Sequence, residues 1–283
     1  MSPHGKETAG PRASARPDAA AGASATPRFA RLTVPWLVVL LLAVHAAMVI
    51  PGIFRNSVTF DENFHLPAGA LYLERGYTHV SVGQPPLARA LYALPVMPLR
   101  PKLPPDSILV INAERAAGHS FLSLNADRFE TLYITARFVA LLMSLGVGIL
   151  IFAFARSLYG PAAGLLALAA WVAMPEAVAQ AGLIGMDLPT ALVFLLVVMA
   201  LRGLVMHGRL REVALMTLAC GAALLTRYSV LQLVPVLIAL AVWAVVARRA
   251  ARPAWLFGGL IVAFLGAVVL LDLGYLGQIS MLP

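Results

Sequence analysis

Charged residues are scarce in this chain: only 12% of its 283 residues are Asp, Glu, Lys or Arg, whereas 60% are apolar. Soluble domains carry about 25% charged residues, so the composition excludes an ordinary water-soluble core. The single cysteine, Cys220, excludes an internal disulfide and a cysteine-based zinc site. The sequence also lacks a Walker loop, a Rossmann glycine pattern and a nucleophile elbow, which argues against soluble nucleotide chemistry.

The apolar residues form long uninterrupted runs, several of them about as long as one crossing of a bilayer. We therefore predict an all-α integral membrane protein with about seven spans. The run 213–247 is too long for one span, and its polar residues 226–229 predict a hairpin of two short helices. The remaining runs predict one span each: 34–54, 132–154, 161–179, 188–201 and 254–275.

The segments outside these runs differ in composition. Residues 1–33 are rich in Ala, Pro, Ser and Gly without apolar periodicity, which predicts a disordered cytoplasmic tail. Residues 34–283 form the transmembrane domain, in which 55–130 is a large extracytoplasmic loop. Pro86, followed by leucines at helical spacing, predicts an amphipathic interfacial helix in this loop.

The tail and alternate span ends, which would lie on one side of the membrane, carry twelve lysines and arginines and three acids. The segments on the other side carry nine lysines and arginines and ten acids. This asymmetry predicts a cytoplasmic N-terminus and explains the net charge of +8 better than nucleic-acid binding does. The abundance of Ala, Leu, Arg and Gly favours a bacterial inner membrane, with the loop 55–130 facing the periplasm.

The first candidate site follows the first span, where Thr59 and Glu62 have the spacing of a capping box. Asp61 and His65, four residues apart, would share one face of the helix that begins there. The acids could simply cap this helix on a wet loop. Alternatively, a carboxylate at the membrane edge could take a proton from an acceptor hydroxyl.

Three further charged residues lie beside or within apolar runs. Asp187 between two spans either caps the following helix or belongs to a site. Arg137 and Arg227 could bind phosphate oxygens or snorkel to lipid headgroups. The His, Asp and Glu residues of the loop have no diagnostic ligand spacing, so a divalent metal is a minor alternative and no cofactor is assigned.

The order of these motifs resembles the polyprenyl-phosphate-dependent glycosyltransferases of the GT-C fold, the protein O-mannosyltransferase and aminoarabinose-transferase-like group. The resemblance covers residues 60–235. It rests on the following residues in this order: Asp61-Glu62-x-x-His65, Gly69, Tyr72, Gly76, Gln84-Pro85-Pro86-Leu87, Arg137, Gly160, Pro175, Asp187 and Thr226-Arg227-Tyr228.

The resemblance implies transfer of a mannose-like or other hexose or pentose from a polyprenyl-phosphate donor by inverting displacement outside the membrane. The acceptor would be a hydroxyl of a protein, lipid or glycan. Asp61 is implied as the catalytic base, with Glu62 and Asp187 as further catalytic residues. Donor or phosphate binding is implied for His65, Gln84, Arg137, Arg227 and Tyr228.

This sequence departs from the family pattern in three places. Gln84 stands where the family often has histidine, and Arg227 stands where lysine is commoner. Family members are also usually longer, so we expect this chain to lack their C-terminal part, which a partner chain could supply. The alternative function is therefore a truncated, non-catalytic membrane protein that binds or moves a polyprenyl lipid.

Overall fold

A computed structural model describes residues 28–276, and all regular secondary structure within this range is helical. The predicted all-α class is confirmed for these residues. The α-helices are α1 (Arg28–Arg55), α2 (Glu62–Arg75), α3 (Pro86–Ala93), α4 (Glu114–Leu124), α5 (Phe129–Tyr159), α6 (Pro161–Ala173), α7 (Pro175–Gln180), α8 (Asp187–His207), α9 (Leu210–Leu224), α10 (Leu233–Val246) and α11 (Pro253–Gly274).

Within this range, five helices are long and apolar enough to cross a membrane: α1, α5, α8, α11, and α10 with the 3₁₀ turn before it. The other two predicted spans correspond to α6 and α9, which have only 13 and 15 residues against the about 20 that a crossing requires. The predicted span 161–179 is interrupted at Met174, because Pro175 starts a new helix. The predicted division of the run 213–247 into two helices is confirmed as α9, the turn Tyr228–Gln232 and α10.

Two hydrogen bonds identify helix ends that lie together in the bundle. At one end of the bundle, Arg137 of α5 donates a hydrogen bond to the Ile53 carbonyl of α1. At the other end, the Ala251 N–H donates to the Val205 carbonyl, 2.9 Å away. The outward-facing side chains of these helices are largely apolar and exposed, which suits a surface that contacts lipid.

The start of α1 corrects one boundary of the predicted tail. Because α1 begins at Arg28, residues 28–33 are helical rather than the end of a disordered segment. Residues 1–27, which carry the rest of that prediction, and residues 277–283 lie outside the described residues.

Helices α2, α3 and α4 form a compact layer at the end of the bundle, on the N-terminal part of α5. Their shared core includes the fully buried Leu66, Tyr92, Phe121 and Tyr133. Two glycines let the backbones touch: a Cβ at position 69 would lie 2.1 Å from the Arg89 carbonyl oxygen, and one at 118 would lie 2.3 Å from that of Asn63. The layer therefore holds three short helices in fixed register beneath the candidate site.

Candidate active site

A polar cavity of about 530 Å³ lies where the layer of short helices meets the ends of the spans. Five of the eight predicted site residues line it: Asp61, His65, Gln84, Asp187 and Arg227. They come from four separate segments of the chain. The other lining residues are Thr59, Phe60, Phe64, Glu114, Gln180, Leu183, Ile184, Gly185 and Met186.

Asp187 and Arg227 form an ion pair within this cavity. An Arg227 Nη1–H donates to the Asp187 Oδ1 at 2.6 Å, and 66% of the Asp187 side chain remains exposed. Asp187 is the first residue of α8, whereas Arg227 follows α9, in a segment fixed by the Leu87 N–H, which donates to the Leu225 carbonyl. An exposed pair contributes little to stability, so both groups remain accessible to a ligand.

Arg137 lies below the cavity and does not line it. Its Nε and Nη2 donate to the two carboxylate oxygens of Glu62 at 2.7 Å each. The three remaining N–H groups donate to the carbonyls of Ile53, Asn56 and Ser57. All five donors of the guanidinium are therefore used, and Arg137 has none left for the phosphate that the sequence assigned to it.

Glu62 is completely buried and makes the matching contacts. Besides Arg137, its carboxylate accepts from the backbone N–H groups of Thr59 at 2.8 Å and Ile184 at 3.1 Å. The bond to Thr59 is the glutamate half of the predicted capping box. Glu62 thus joins the start of α2, the N-terminal part of α5 and the segment before α8, so the geometry favours a positioning role over contact with a substrate.

Tyr228 also lies outside the cavity lining. Its hydroxyl pairs with the hydroxyl of Tyr275, just after α11. The Tyr72 hydroxyl donates to the Gly274 carbonyl at 2.8 Å. These bonds attach both the segment that carries Arg227 and the end of α11 to the structure around the site, so Tyr228 holds its neighbour in place.

The match to known proteins covers the spans that carry two of the cavity residues. A family model described as dolichyl-phosphate-mannose-protein mannosyltransferase matches residues 121–271. This stretch is more than half of the chain and includes Asp187 and Arg227. The chain belongs to this family. No curated protein and no solved structure matches it.

Membership of this mannosyltransferase family indicates a polyprenyl-phosphate-dependent glycosyltransferase of the GT-C kind. Together with the five apolar helices found within residues 28–276, it identifies an integral membrane protein. The matched stretch begins at residue 121, so Asp61, His65 and Gln84 lie before it. Their place in the site rests on the geometry of the cavity.

His65 is held as a neutral imidazole in this family member. Burial is the main cause that lowers its pKa from 6.5 to about 4; the charges of Arg89 and Arg227 add to this shift, while those of Asp61 and Glu114 oppose it. His65 is therefore uncharged near pH 7 and presents one nitrogen as a hydrogen-bond acceptor. It cannot attract a phosphate by charge.

The lowered pKa of His65 predicts an acid-sensitive fold. The unfolded chain takes up this proton near pH 6.5 but the folded chain only near pH 4, so acidification through this window favours unfolding. We expect protonation of His65 to lower the free energy of unfolding by about 2 kcal/mol between pH 7.5 and pH 5. Thermal unfolding of the purified protein in detergent at both pH values checks this.

Two variants make that measurement specific. His65→Asn should unfold with a smaller dependence on pH than the wild type. His119→Asn, which changes an exposed histidine of α4 outside the cavity, should keep the wild-type dependence. Equal pH dependence in wild type and His65→Asn would contradict the prediction.

Sequence reasoning missed Glu114 and Gln180 as cavity residues. Glu114 is one of seven acids in the loop 55–130, and no motif distinguishes it from the others. Gln180 ends α7, a helix that overlaps the predicted span 161–179. In the part of the chain that the structure describes, no three His, Cys, Asp or Glu side chains come together as a potential metal site.

Proposed function

We propose that this protein transfers a sugar from a polyprenyl-phosphate donor to an acceptor hydroxyl on the extracytoplasmic side of the membrane. The observation that carries the proposal is that Asp61, Asp187 and Arg227 line one cavity at the ends of the spans. Glycosyl transfer from a lipid phosphate needs a base for the acceptor and a cation for the departing phosphate at the same place. This cavity offers both.

Asp61 is the proposed base. Its side chain is exposed and lines the cavity, whereas the neighbouring Glu62 is bound to Arg137 and has no access to a substrate. The acceptor hydroxyl would give its proton to Asp61 while its oxygen forms a bond to the anomeric carbon of the sugar. The bond from that carbon to the phosphate oxygen breaks on the opposite face, which inverts the configuration and releases polyprenyl phosphate.

Arg227 is the proposed phosphate ligand. A guanidinium can bind two phosphate oxygens at once, and the bond to Asp187 uses only one of its terminal nitrogens. As negative charge develops on the leaving phosphate, Arg227 would stabilise it. Asp187 would orient Arg227 until the donor arrives.

An apolar cavity of about 470 Å³ supports a lipid-linked donor. Its lining comes from α8, α9, the turn Tyr228–Gln232, α10 and α11, and includes Leu224, Val230 and Leu231, which flank Arg227 in the sequence. A ligand with its phosphate at Arg227 could therefore lay its hydrocarbon tail among these side chains. We propose that the first isoprene units of the donor bind there.

Orientation and location are part of the same proposal. The bundle end away from the polar cavity carries a cluster of arginines, against the single acid Glu212 in the part of the chain that the structure describes. The positive-inside rule supports a cytoplasmic side for that end, and hence a periplasmic site in a bacterial inner membrane. The arginines are Arg156, Arg202, Arg209, Arg211, Arg248, Arg249 and Arg252.

Reconstituted protein tests the transferase activity directly. Purified full-length chain in liposomes would be incubated with radiolabelled polyprenyl-phosphate mannose, glucose or arabinose and with a membrane extract as the source of acceptors. We expect label to move from the lipid to an acceptor with at least one of these sugars. If transfer of label to an acceptor did not exceed that of a protein-free control with any of the three sugars, the proposal would be contradicted.

Removal of the Arg227 side chain should weaken donor binding. Arg227→Ala is expected to lower the affinity for polyprenyl phosphate about 10- to 100-fold, which is the usual value of a hydrogen bond to a charged group. Because Asp187 is already exposed, its loss of a partner should cost little stability. Binding of a fluorescent short-chain polyprenyl phosphate measures the change.

The matched control removes another cation from the same side of the protein. Lys102→Ala changes an exposed residue outside both cavities and should bind the lipid like the wild type. Wild-type affinity in Arg227→Ala would remove Arg227 from the phosphate site.

A further inference from the structure

Three polar side chains, His65, Gln84 and Glu114, line the polar cavity in addition to the residues of the proposed displacement. They come from three different elements: α2, the segment before α3, and the first residue of α4. A carboxylate, an amide oxygen and a neutral imidazole nitrogen can all accept hydrogen bonds. The mechanism above uses none of them.

The position of Glu114 is fixed by a buried scaffold. The Ser81 hydroxyl donates to its carboxylate at 2.6 Å, and Ser81 is itself 3% exposed. Just before α4, the Asn112 side chain accepts from the Val82 N–H, which attaches this turn to the segment that carries Ser81. The glutamate is therefore held in place before any ligand binds.

The buried cation Arg89 also binds the segment that carries Ser81 and Gln84. Arg89 is 4% exposed, and its Nη2 donates to the carbonyls of both Ser81 and Gln84. Burial lowers the pKa of Arg89 only to about 10, so it remains charged near pH 7. The residue keeps Gln84 and Glu114 in their relative positions and offsets part of the negative charge of the cavity.

Two atoms of these three side chains are buried and make no hydrogen bond to the residues that the structure describes. Gln84 Oε1 and His65 Nδ1 have no hydrogen-bond partner within the described part of the chain, although native proteins pair nearly all such atoms. Both belong to residues that line the cavity. Both residues therefore keep unused hydrogen-bonding capacity beside the cavity.

The composition of the cavity narrows the chemistry of a ligand that binds there. Three carboxylates, Asp61, Glu114 and Asp187, face the single guanidinium of Arg227. A second phosphate would be repelled by this excess of negative charge, and a hydrocarbon chain would leave the polar atoms unpaired. Sugar hydroxyls donate hydrogen bonds and carry no charge, so they suit such a wall.

We propose that His65, Gln84 and Glu114 form the subsite for the sugar of the lipid-linked donor, with Glu114 as the residue that selects the sugar. The inference rests on the proposed function, because it takes the phosphate of the same donor to lie at Arg227. Glu114 accepts hydrogen bonds from one or two hydroxyls of the sugar. A sugar that lacks a hydroxyl at that position binds more weakly.

Equilibrium binding to the full-length protein in detergent tests the subsite. The ligands are bare short-chain polyprenyl phosphate and the same lipid carrying mannose, glucose or arabinose. We expect the wild type to bind at least one of the sugar-bearing lipids about 10-fold or more tightly than the bare lipid. In Glu114→Gln this preference should fall to about 3-fold or less, while the affinity for the bare lipid should be no lower than in the wild type, because one carboxylate that repels phosphate is removed.

The bare lipid also reports on folding, because a misfolded variant would lose its affinity for every ligand. The control Glu74→Gln changes an exposed glutamate of α2 outside the cavity and should keep the full preference. Ser81→Ala, which removes only the bond that fixes Glu114, should give an intermediate preference. A wild-type preference in Glu114→Gln, or the lack of any sugar preference in the wild type, would overturn the subsite.

Failure of the wider proposal would look different. If the wild type did not bind the bare lipid, or bound it equally well after Arg227→Ala, the assigned donor site would be wrong and the sugar subsite would fall with it. Binding of bare lipid that depends on Arg227, combined with sugar selection that does not depend on Glu114, would overturn only the inference made here.

Discussion

Asp61→Asn is expected to lower the rate of sugar transfer by a factor of about 10²–10⁴, the usual contribution of a well-placed general base. Asparagine has nearly the same shape as aspartate but cannot accept the acceptor's proton. No neighbouring acid on α2 can take over, because Glu62 is fully buried against Arg137. The effect should therefore appear in turnover and leave donor affinity nearly unchanged.

The rate of label transfer in liposomes measures this change, and binding of the fluorescent lipid reports donor affinity. Asp127→Asn is the matched control, because Asp127 is an exposed acid on the same side of the protein and does not line the cavity. Turnover by Asp61→Asn within a factor of two of the control would exclude Asp61 as the base and leave Glu114 or Asp187 to be tested.

Arg137→Ala is expected to destabilise the protein by about 3–5 kcal/mol, because it leaves the buried carboxylate of Glu62 without its cationic partner. The Arg137 side chain is 3% exposed and all five N–H groups of its guanidinium are bonded, so water cannot replace these contacts without opening the structure. Activity should fall as well, since the segment before α8 is attached to the same carboxylate.

Thermal or denaturant unfolding in detergent measures this loss, with Arg156→Ala as the control at the exposed end of the same helix. The double variant Glu62→Gln/Arg137→Met distinguishes the cost of leaving the Glu62 charge unpaired from the cost of losing the contacts of Arg137. Without a buried unpaired charge, it should be more stable than Arg137→Ala alone. Equal stability of Arg137→Ala and wild type would show that Glu62 does not need this partner.

The amino-acid sequence is sufficient to predict the helical class and most of the spans. Apolar runs follow directly from the requirement that a chain in lipid satisfies its own backbone, so α5, α8 and α11 are evident from hydrophobicity alone. The predicted third span is too long because the apolar run continues across Met174. Pro175, which begins α7, is the local signal that ends the helix there.

Only part of the site is predictable from the sequence, because contacts between charged residues far apart in the chain follow no spacing rule. Asp61, Asp187 and Arg227 could be placed in one cavity because each follows or precedes a span on the same predicted side. The pairing of Glu62 with Arg137 could not be predicted, because these residues are 75 positions apart and no spacing rule connects them. A buried arginine and a phosphate-binding arginine have the same appearance in a sequence.

The contacts of Glu62 have a consequence for the shape of the cavity. A movement that separated α2 from α5 would break the two hydrogen bonds between Arg137 and Glu62. Because Glu62 also accepts from the Ile184 N–H, one carboxylate holds together the segments that carry Asp61 and Asp187, and both segments line the cavity. The cavity is therefore formed before its ligands bind.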